Sequence, residues 1–398
     1  MLYKVESLGV RGDGLVKAGD MTLHVPKVLA GEDIDLSMGK LTRVITPSPE
    51  RIDAFCKYFD RCGGCKFQHW QLDKYQDWKR NLLIEALAAK GLKPEVGALI
   101  DAHGEGRRRV SLHVREIDGV WAAGFMEQKS HDLIAIDQCP VLVPALQNAT
   151  QLAAAFGLPL GDCDVAITAA DSGLDVSVKA ERKAVPRRMD VLTDVVRKHN
   201  IQRLTINGEI FIATSSPVMH IGKADVGLPV TSFLQATRKG EETLATLVLE
   251  HVKGAKHVAD LFCGIGPFAL RIAEKAKVYA ADNDKLAIVN LQAAVKNTQG
   301  LKPLTAQTRE LMREPLTPLE LNVFDAVVVD PPRAGAEAQA RTLSKSKVKR
   351  IVMVSCDVLT FTRDAAILVA GGYVMKSVTP VDQFKWTGHL EMVGLFER

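Results

Sequence analysis

The sequence predicts an α/β protein whose carboxy-terminal part is a doubly wound parallel sheet, preceded by two β-rich regions. Three observations predict it. From about residue 241 the chain alternates helical segments with short buried strands, the pattern of a parallel sheet covered on both faces. The first of those strands runs into a glycine loop, VADLFCGIGPFAL, that opens a helix, the usual ligand-binding turn of such sheets. From about Arg107 to Ser232 the pattern is instead strand-rich and irregular, as in SLHVRE, LDVSVKA and RLTINGEIFIAT.

Residues 1 to about 50 read as short strands broken by turns. Gly9, Gly12, Gly14 and Gly19 punctuate them, and Met21–Val25 alternates before Pro26, which suits a small β-barrel. The cysteine-rich run FCKYFDRCGGCKFQHW follows. Lys74–Lys90 then carries apolar residues at Tyr75, Trp78, Leu82, Leu83 and Leu87 and stops at Gly91, an amphipathic helix with a glycine terminator. In the last region we place strands at His257–Phe262, Lys277–Ala281, Asp325–Val329, Arg350–Ser355, Tyr373–Val378 and Leu390–Phe396.

The length of 398 residues allows two or three domains. Hydrophobic residues at 47% and charged residues at 25% place the chain among soluble globular proteins. A net charge of +4 leans towards a polyanionic partner. The runs Arg107-Arg108-Arg109, Arg182-Lys183 and Arg187-Arg188 are each more often a solvated face than a phosphate contact, but together on one central segment they modestly raise the nucleic-acid reading. No apolar stretch is long enough to span a bilayer. The start, MLYKVESLGVRGDG, lacks the apolar centre of a signal peptide, so a cytoplasmic protein is expected. Seven cysteines, an odd number, then argue for metal or catalytic use over a disulfide framework.

Three cysteines stand close together at Cys56, Cys62 and Cys65, with a fourth, Cys139, in DQCPVL. Zinc sites usually come as two close pairs, and His69 could replace one thiol in such a site. Three near ligands and one remote suit a cubane iron–sulphur cluster. Gly63-Gly64 would let backbone wrap closely around a bulky group, which argues against four unrelated cysteines.

The glycine loop joins strand to helix with Gly264 and Gly266 at the turn. GIGPFA also fits a dinucleotide fingerprint, and a nicotinamide-dependent oxidoreductase is the reading it alone supports. Two acids discriminate. Asp260 precedes the glycines, and Asp282 closes the second strand, where a carboxylate can hold a ribose diol. That arrangement resembles the S-adenosylmethionine loop of class I methyltransferases. Cys263 in the loop reads as packing. Asp330, in VVVDPPRAG, ends another strand in a rigid proline loop, where its simplest role would be a helix cap. Cys356, in VSCDVLTFTRD, ends the next strand on the same edge, which marks it as a nucleophile rather than an inert thiol. Glu391, in GHLEMVGLF, would be an ordinary solvated charge but for its pairing with Cys356. Cysteine and glutamate together suit methylation at uracil C5: the thiolate activates the ring and the carboxylate removes the C5 proton.

At these residues the chain resembles the RNA 5-methyluridine (uridine C5) methyltransferases that carry an iron–sulphur cluster, over nearly its whole length. LGVRGDGLV and HVPKVLAGE resemble that family's TRAM barrel, an RNA-binding module. CKYFDRCGGCKFQHW resembles its cluster motif, SFLQA its cofactor-contacting glutamine, SCDVLTFTRD its nucleophile motif and FKWTGHLE its base motif. The resemblance implies a Rossmann-like class I methyltransferase domain at 74–105 and 233–398, a TRAM-like barrel at 1–50, and a β-rich central domain at 51–73 and 106–232. It implies Cys356 as nucleophile and Glu391 as base. Gln235, Phe262, Gly264, Gly266, Pro267, Asp282 and Asp330 would bind S-adenosylmethionine, and Cys56, Cys62, Cys65 and Cys139 a [4Fe-4S] cluster. The expected product is 5-methyluridine in ribosomal or transfer RNA, made by a monomer without an obligate protein partner. The chain departs from the family pattern at Ala236-Thr237, where the glutamine stretch usually continues to asparagine, at Asp357-Val358, where Asn-Pro usually follows the nucleophile, and at Asp282, usually glutamate. The changes beside Gln235 and Cys356 are the only support for the other class of reading, a non-catalytic RNA-binding homologue that keeps the fold; the nucleophile and base are retained, so an active enzyme is expected.

Overall fold

A computed structural model describes residues 2–127, 130–181 and 189–398. The basic pairs Arg182-Lys183 and Arg187-Arg188 lie outside the described residues. The amino-terminal region is a five-stranded antiparallel sheet in the order Met21–Val25, Gly14–Ala18, Leu2–Leu8, Asp33–Ser37, Lys40–Thr46. Alternation drives its inward residues Val5, Val16, Val25, Ile34 and Leu36 into a small core of their own. Among the described residues no ladder joins the two outer strands, so this sheet is open in its pairing where a closed barrel was expected.

A seven-stranded sheet occupies the centre, with Arg109–Ile117 and Cys163–Ala170 in its middle. Its inward face packs Leu112, Val114, Val165, Ile167, Val176 and Val178 against Leu152 and Phe156. The third large sheet has nine strands. The main order is Leu304–Thr308, Lys277–Asp282, His257–Leu261, Ala326–Val329, Arg350–Ser355, Glu391–Glu397, Val374–Asp382. Pairing is parallel up to Arg350–Ser355 and antiparallel for the last two. Every residue of Ala326–Val329 is buried, as expected for a central parallel strand covered on both faces. His257–Leu261 has the earlier strand Lys277–Asp282 on one side and the later Ala326–Val329 on the other. The crevice at their carboxyl ends is the topological switch point where such sheets bind ligands.

Two features of this sheet were not anticipated. Leu304–Thr308 is an edge strand with one buried residue, so it has no apolar run to read. Glu95–Val96 and Ile100–Asp101 pair with Val374–Asp382 and are too short for any periodicity.

The helix Leu72–Ala89 joins this sheet through a polar anchor. Its buried residues Tyr75, Lys79, Leu83 and Leu87 recur every fourth position, one stripe of a helix. Lys79, fully buried, places Nζ 2.7 Å from Asp382 Oδ1. Tyr75 donates its hydroxyl to Asp382 Oδ2 at 3.0 Å and accepts from the Trp386 amide at 2.9 Å. Burial lowers the Lys79 pKa to about 8 against the pull of Asp382. An uncompensated buried charge is costly, so Asp382→Ala should destabilise the protein by about 3–5 kcal/mol, and Lys79→Met with Asp382→Leu by less. Urea unfolding measures both; a double variant as unstable as the single would remove the ion pair from this role.

Candidate active site

The glycine loop is built by its own backbone. Phe262 turns into the left-handed region at φ 65°, followed by Gly264 at φ 50° and Gly266 at φ 88°. The amides of Phe262 and Cys263 both reach Ala281 O, at 2.8 and 3.1 Å. A Cβ on Gly266 would stand 2.6 Å from Leu291 Cδ1, whereas one on Gly264 would meet nothing within 4 Å. Gly266 is therefore required by packing, and Gly264 keeps backbone open to the crevice. Asp282 braces the turn: Oδ2 accepts from the Gly264 amide at 2.8 Å and Oδ1 from the Asp284 amide at 2.8 Å. Cys263 is buried beneath the loop.

A cavity of about 660 Å³ opens at the switch point. Gln235, Phe262, Gly264, Pro267, Asp282, Asp330, Cys356 and Glu391 all border it, and Gly266 does not. Phe233, Glu310, Met312, Arg333 and Phe384 border it as well and were not singled out from the sequence. Arg333 and Phe384 sit inside the DPPRAG and FKWTGHLE stretches, so motif context could have found them. A second cavity, about 710 Å³, shares Arg333, Cys356 and Phe384 with the first and is bordered by Arg11, Lys66, Arg107 and His389. Cys356 thus stands where two cavities meet.

Strand register brings thiol and carboxyl together. Ser355 pairs with Met392 across the antiparallel ladder, which leaves Cys356 and Glu391 at the same end of adjacent strands. Burial, then Glu391 and Asp330, push the Cys356 thiol up to about 12, against the pull of Arg333. Burial first, and then Asp330, raise Glu391 from 4.5 to about 8, while a hydrogen bond from Gln383 acts in the opposite direction. Asp330 rises to about 7 through burial and Asp282. Asp260, fully buried behind the loop, is held well above the carboxylate range by burial and by Asp330.

The residues that depart from the family pattern have structural work. Thr237 caps the helix Arg238–His251, accepting from the Gly240 amide at 2.8 Å and donating to Ala102 O at 2.6 Å. Asp357 caps the helix Val358–Ala370 through the amides of Leu359 and Thr360, both at 3.0 Å. Arg108, read with its neighbours as part of a basic run, is instead buried. It bonds Glu241 Oε2 at 2.6 Å and Gln235 O at 2.9 Å. Glu241 Oε1 also receives Arg271 at 3.0 Å, and Arg271 holds Pro267 O at 2.7 Å. One ion triad therefore fixes both Gln235 and the glycine loop.

Cys56, Cys62, Cys65 and Cys139 border a separate cavity of about 140 Å³, walled by Phe125, Ile136, Val141 and Leu142. The Gly64 amide points at Cys62 Sγ, 3.4 Å away. Burial raises the Cys62 and Cys65 thiols and brings Cys139 to about 12. Among the described residues no three Cys, His, Asp or Glu side chains gather tightly enough to ligate one metal ion. A tetrahedral zinc site, with Zn–S near 2.3 Å, would need sulfurs about 3.8 Å apart. His69 does not join the thiol cavity; it packs on Phe59 with ring centroids 5.3 Å apart. The four thiols share one largely apolar space, with the Gly64 amide aimed at Cys62.

Comparison with known proteins decides the family. The chain is 42% identical over 402 residues to an uncharacterized RNA methyltransferase of Brucella suis biovar 1, covering 99% of this chain and 97% of that one. The chain belongs to the RNA (uracil-5-)-methyltransferase family. Residues 226–398 match the family model described as tRNA (Uracil-5-)-methyltransferase. The 23S rRNA (uracil(1939)-C(5))-methyltransferase RlmD of Pectobacterium atrosepticum is 28% identical over 428 residues, covering 98% of this chain and 92% of that one. The fold is shared with the tRNA (uracil-54, C5)-methyltransferase of Pyrococcus abyssi, solved with S-adenosyl-L-homocysteine, at TM-score 0.77 and 21% identity over 100% of this chain and 99% of that one. The chain is thus an S-adenosylmethionine-dependent RNA methyltransferase of the uracil-C5 class.

The raised pKa of Glu391 makes the ligand-free methyltransferase pH-sensitive. A carboxyl whose folded pKa exceeds its unfolded value binds a proton more tightly in the folded chain. Its contribution to stability is full below about 4.5 and is lost as pH rises through about 8. Glu391→Gln should therefore lose less thermal stability than the parent between those values; parallel melting profiles would count against a buried, protonated Glu391.

Proposed function

We propose that this chain transfers a methyl group from S-adenosylmethionine to C5 of a specific uridine in a structured RNA, ribosomal or transfer, through a covalent bond between Cys356 and C6 of the base. One observation supports this reading above others: the cavity of about 660 Å³ is bordered by thiol, carboxyl and glycine loop together. The relatives named for uracil C5 in 23S rRNA and in tRNA support the substrate class.

Uracil C5 is too weak a nucleophile to take a methyl group unaided. The Cys356 thiolate adds to C6, and the electron pair moves through C5 to the C4 oxygen. C5 then takes the methyl group. Glu391 removes the proton left on C5, the electron pair restores the C5–C6 double bond, and the thiolate leaves. The balance is one methyl gained by the uracil, one C5 proton passed to Glu391, and the donor's S–CH₃ bond broken to leave a neutral thioether, S-adenosylhomocysteine. When bound, S-adenosylmethionine supplies an electrophilic methyl on a sulfonium cation. Gln235, Phe262, Gly264, Pro267, Asp282 and Asp330 would hold it, with Gly266 shaping the loop. Asp330, Asp282 and Glu391 repel one another when ionised, and a cation among them relieves that repulsion. Arg333 favours the thiolate of Cys356.

A base in folded RNA must be extruded to reach the thiol. The second cavity, with Arg11, Lys66, Arg107 and Arg333 on its border, suits a phosphate-flanked nucleotide. The amino-terminal sheet is read as the TRAM-like RNA-binding module. Cys56, Cys62, Cys65 and Cys139 would hold a [4Fe-4S] cluster as a scaffold beside the RNA site. The protein is read as a cytoplasmic monomer.

Cys356→Ala should abolish methylation and covalent trapping by 5-fluorouridine RNA; retained turnover would sink the mechanism. Glu391→Gln should let an RNA adduct build up, because proton removal stalls; its absence would count against the base. In the parent enzyme kcat/KM should rise with pH through about 8, since the base acts only when ionised. Anaerobically purified protein should contain about four irons per chain and absorb visible light; stoichiometric zinc without iron would overturn the cluster.

A further inference from the structure

Gln383 has no part in the chemistry above, yet it joins the two halves of the site. Its Nε2 donates to Gln235 Oε1 at 2.6 Å and to Glu391 Oε1 at 3.0 Å. Both amide hydrogens are thereby used. All three side chains are buried. Gln383 Oε1 is buried with no hydrogen-bond partner among the described residues. The side chain is held from both sides. It follows Asp382, which Lys79 and Tyr75 anchor. It also lies against Gly240, where a Cβ would come within 2.6 Å of Oε1 and 2.8 Å of Gln383 Cβ. Only the missing side chain of Gly240 leaves space for the Gln383 side chain there.

We propose that Gln383 is a positioning residue that couples the cofactor contact of Gln235 to the proton state of Glu391. The proposal rests on the roles assigned above to those two residues. An ionised Glu391 only accepts, so Gln383 must show it the NH₂ end. The same NH₂ occupies Gln235 Oε1 and leaves Gln235 Nε2 as the group free for a ligand. A protonated Glu391 has a donor of its own. It can donate to Gln383 Oε1 when the amide turns, which pairs that acceptor but carries the NH₂ to a buried place where no described partner stands, so the turned arrangement is the costlier of the two. Gln235 must then give its NH₂ to Gln383 and present a carbonyl oxygen to the cavity. Binding of a ligand that accepts a hydrogen bond from Gln235 Nε2 and proton loss from Glu391 are therefore linked, and each favours the other equally. A bound methyl donor readies the base before the base is needed. The other charged groups facing Glu391 are Asp330 and Arg333, beyond Ala326–Val329, and Cys356, beyond Arg350–Ser355. Asp330 titrates in the same range, so the test must separate the two carboxyls.

The test is calorimetric titration of S-adenosylhomocysteine into the full chain between about pH 6 and about pH 8.5, for the parent, Gln383→Met, Glu391→Gln and the double variant. The neutral sulfur of this probe removes the direct attraction of a sulfonium to the carboxylates, while its α-ammonium group is common to all four titrations. In the parent, affinity should tighten about fivefold with rising pH. Each single variant should lose the part of that slope due to Glu391, and the double variant should lose no more than either. Any slope common to all four belongs to Asp330. The rising limb of kcat/KM should also move to higher pH in Gln383→Met, because an ionised Glu391 loses a donor. A parent-like slope in Gln383→Met, or independent effects that simply add, would overturn the coupling. Should Gln383→Met fail to fold, equal slopes in the parent and Glu391→Gln would overturn it. A parent protein that does not bind the probe refutes the cofactor reading itself, whereas binding without coupling refutes only the role of Gln383.

Discussion

Arg350–Ser355 and Glu391–Glu397 run antiparallel, and the pairing of Ser355 with Met392 sets the rest of the site. Opposed residues in such a ladder have Cα atoms about 4.5–5.5 Å apart, so a thiol and a carboxyl distant in sequence become neighbours at one sheet edge. A slip of one residue would turn Glu391 to the other face. Packing forbids the slip: Val352, Val354 and Val393 belong to the core on one face, while Ile351, Met353, Met392 and Phe396 belong to the core on the other. Core packing and catalytic geometry are here the same constraint.

The crevice so formed concentrates acids where water is scarce. Asp260, Asp330 and Glu391 all hold their protons more tightly than usual, which is unfavourable to leave uncompensated and useful for a cationic ligand. Around the crevice, charges are paired instead. Lys79 meets Asp382 beneath the loop that carries Gln383, and Arg108 and Arg271 meet at Glu241 behind Gln235 and Pro267. Local rules of burial are broken at the site and kept around it, as functional sites generally require.

Much of this was legible because it is local. The glycine loop, the strand ending at Cys356 and the helix around Tyr75, Leu83 and Leu87 announce themselves by turn residues and apolar period. The edge strand Leu304–Thr308 did not, since exposure leaves it no apolar pattern. Arg108 was misread with its basic neighbours because its partner Glu241 lies 133 residues away. Gln383 is an ordinary glutamine in any window of sequence; only its two hydrogen bonds set it apart.

By itself, then, the sequence determined the α/β class and the order of most elements, and it marked Cys356, Glu391 and the loop residues as site candidates, since each follows from local periodicity, turn chemistry or a contiguous motif. Tertiary structure alone decided that Glu391 stands beside Cys356, that Asp357 and Thr237 serve as helix caps, that four cysteines surround one apolar cavity and that Gln383 bridges Gln235 to Glu391. Those facts depend on strand register and on contacts between residues far apart in the chain, and burial then sets the proton affinities that no local stretch of sequence encodes.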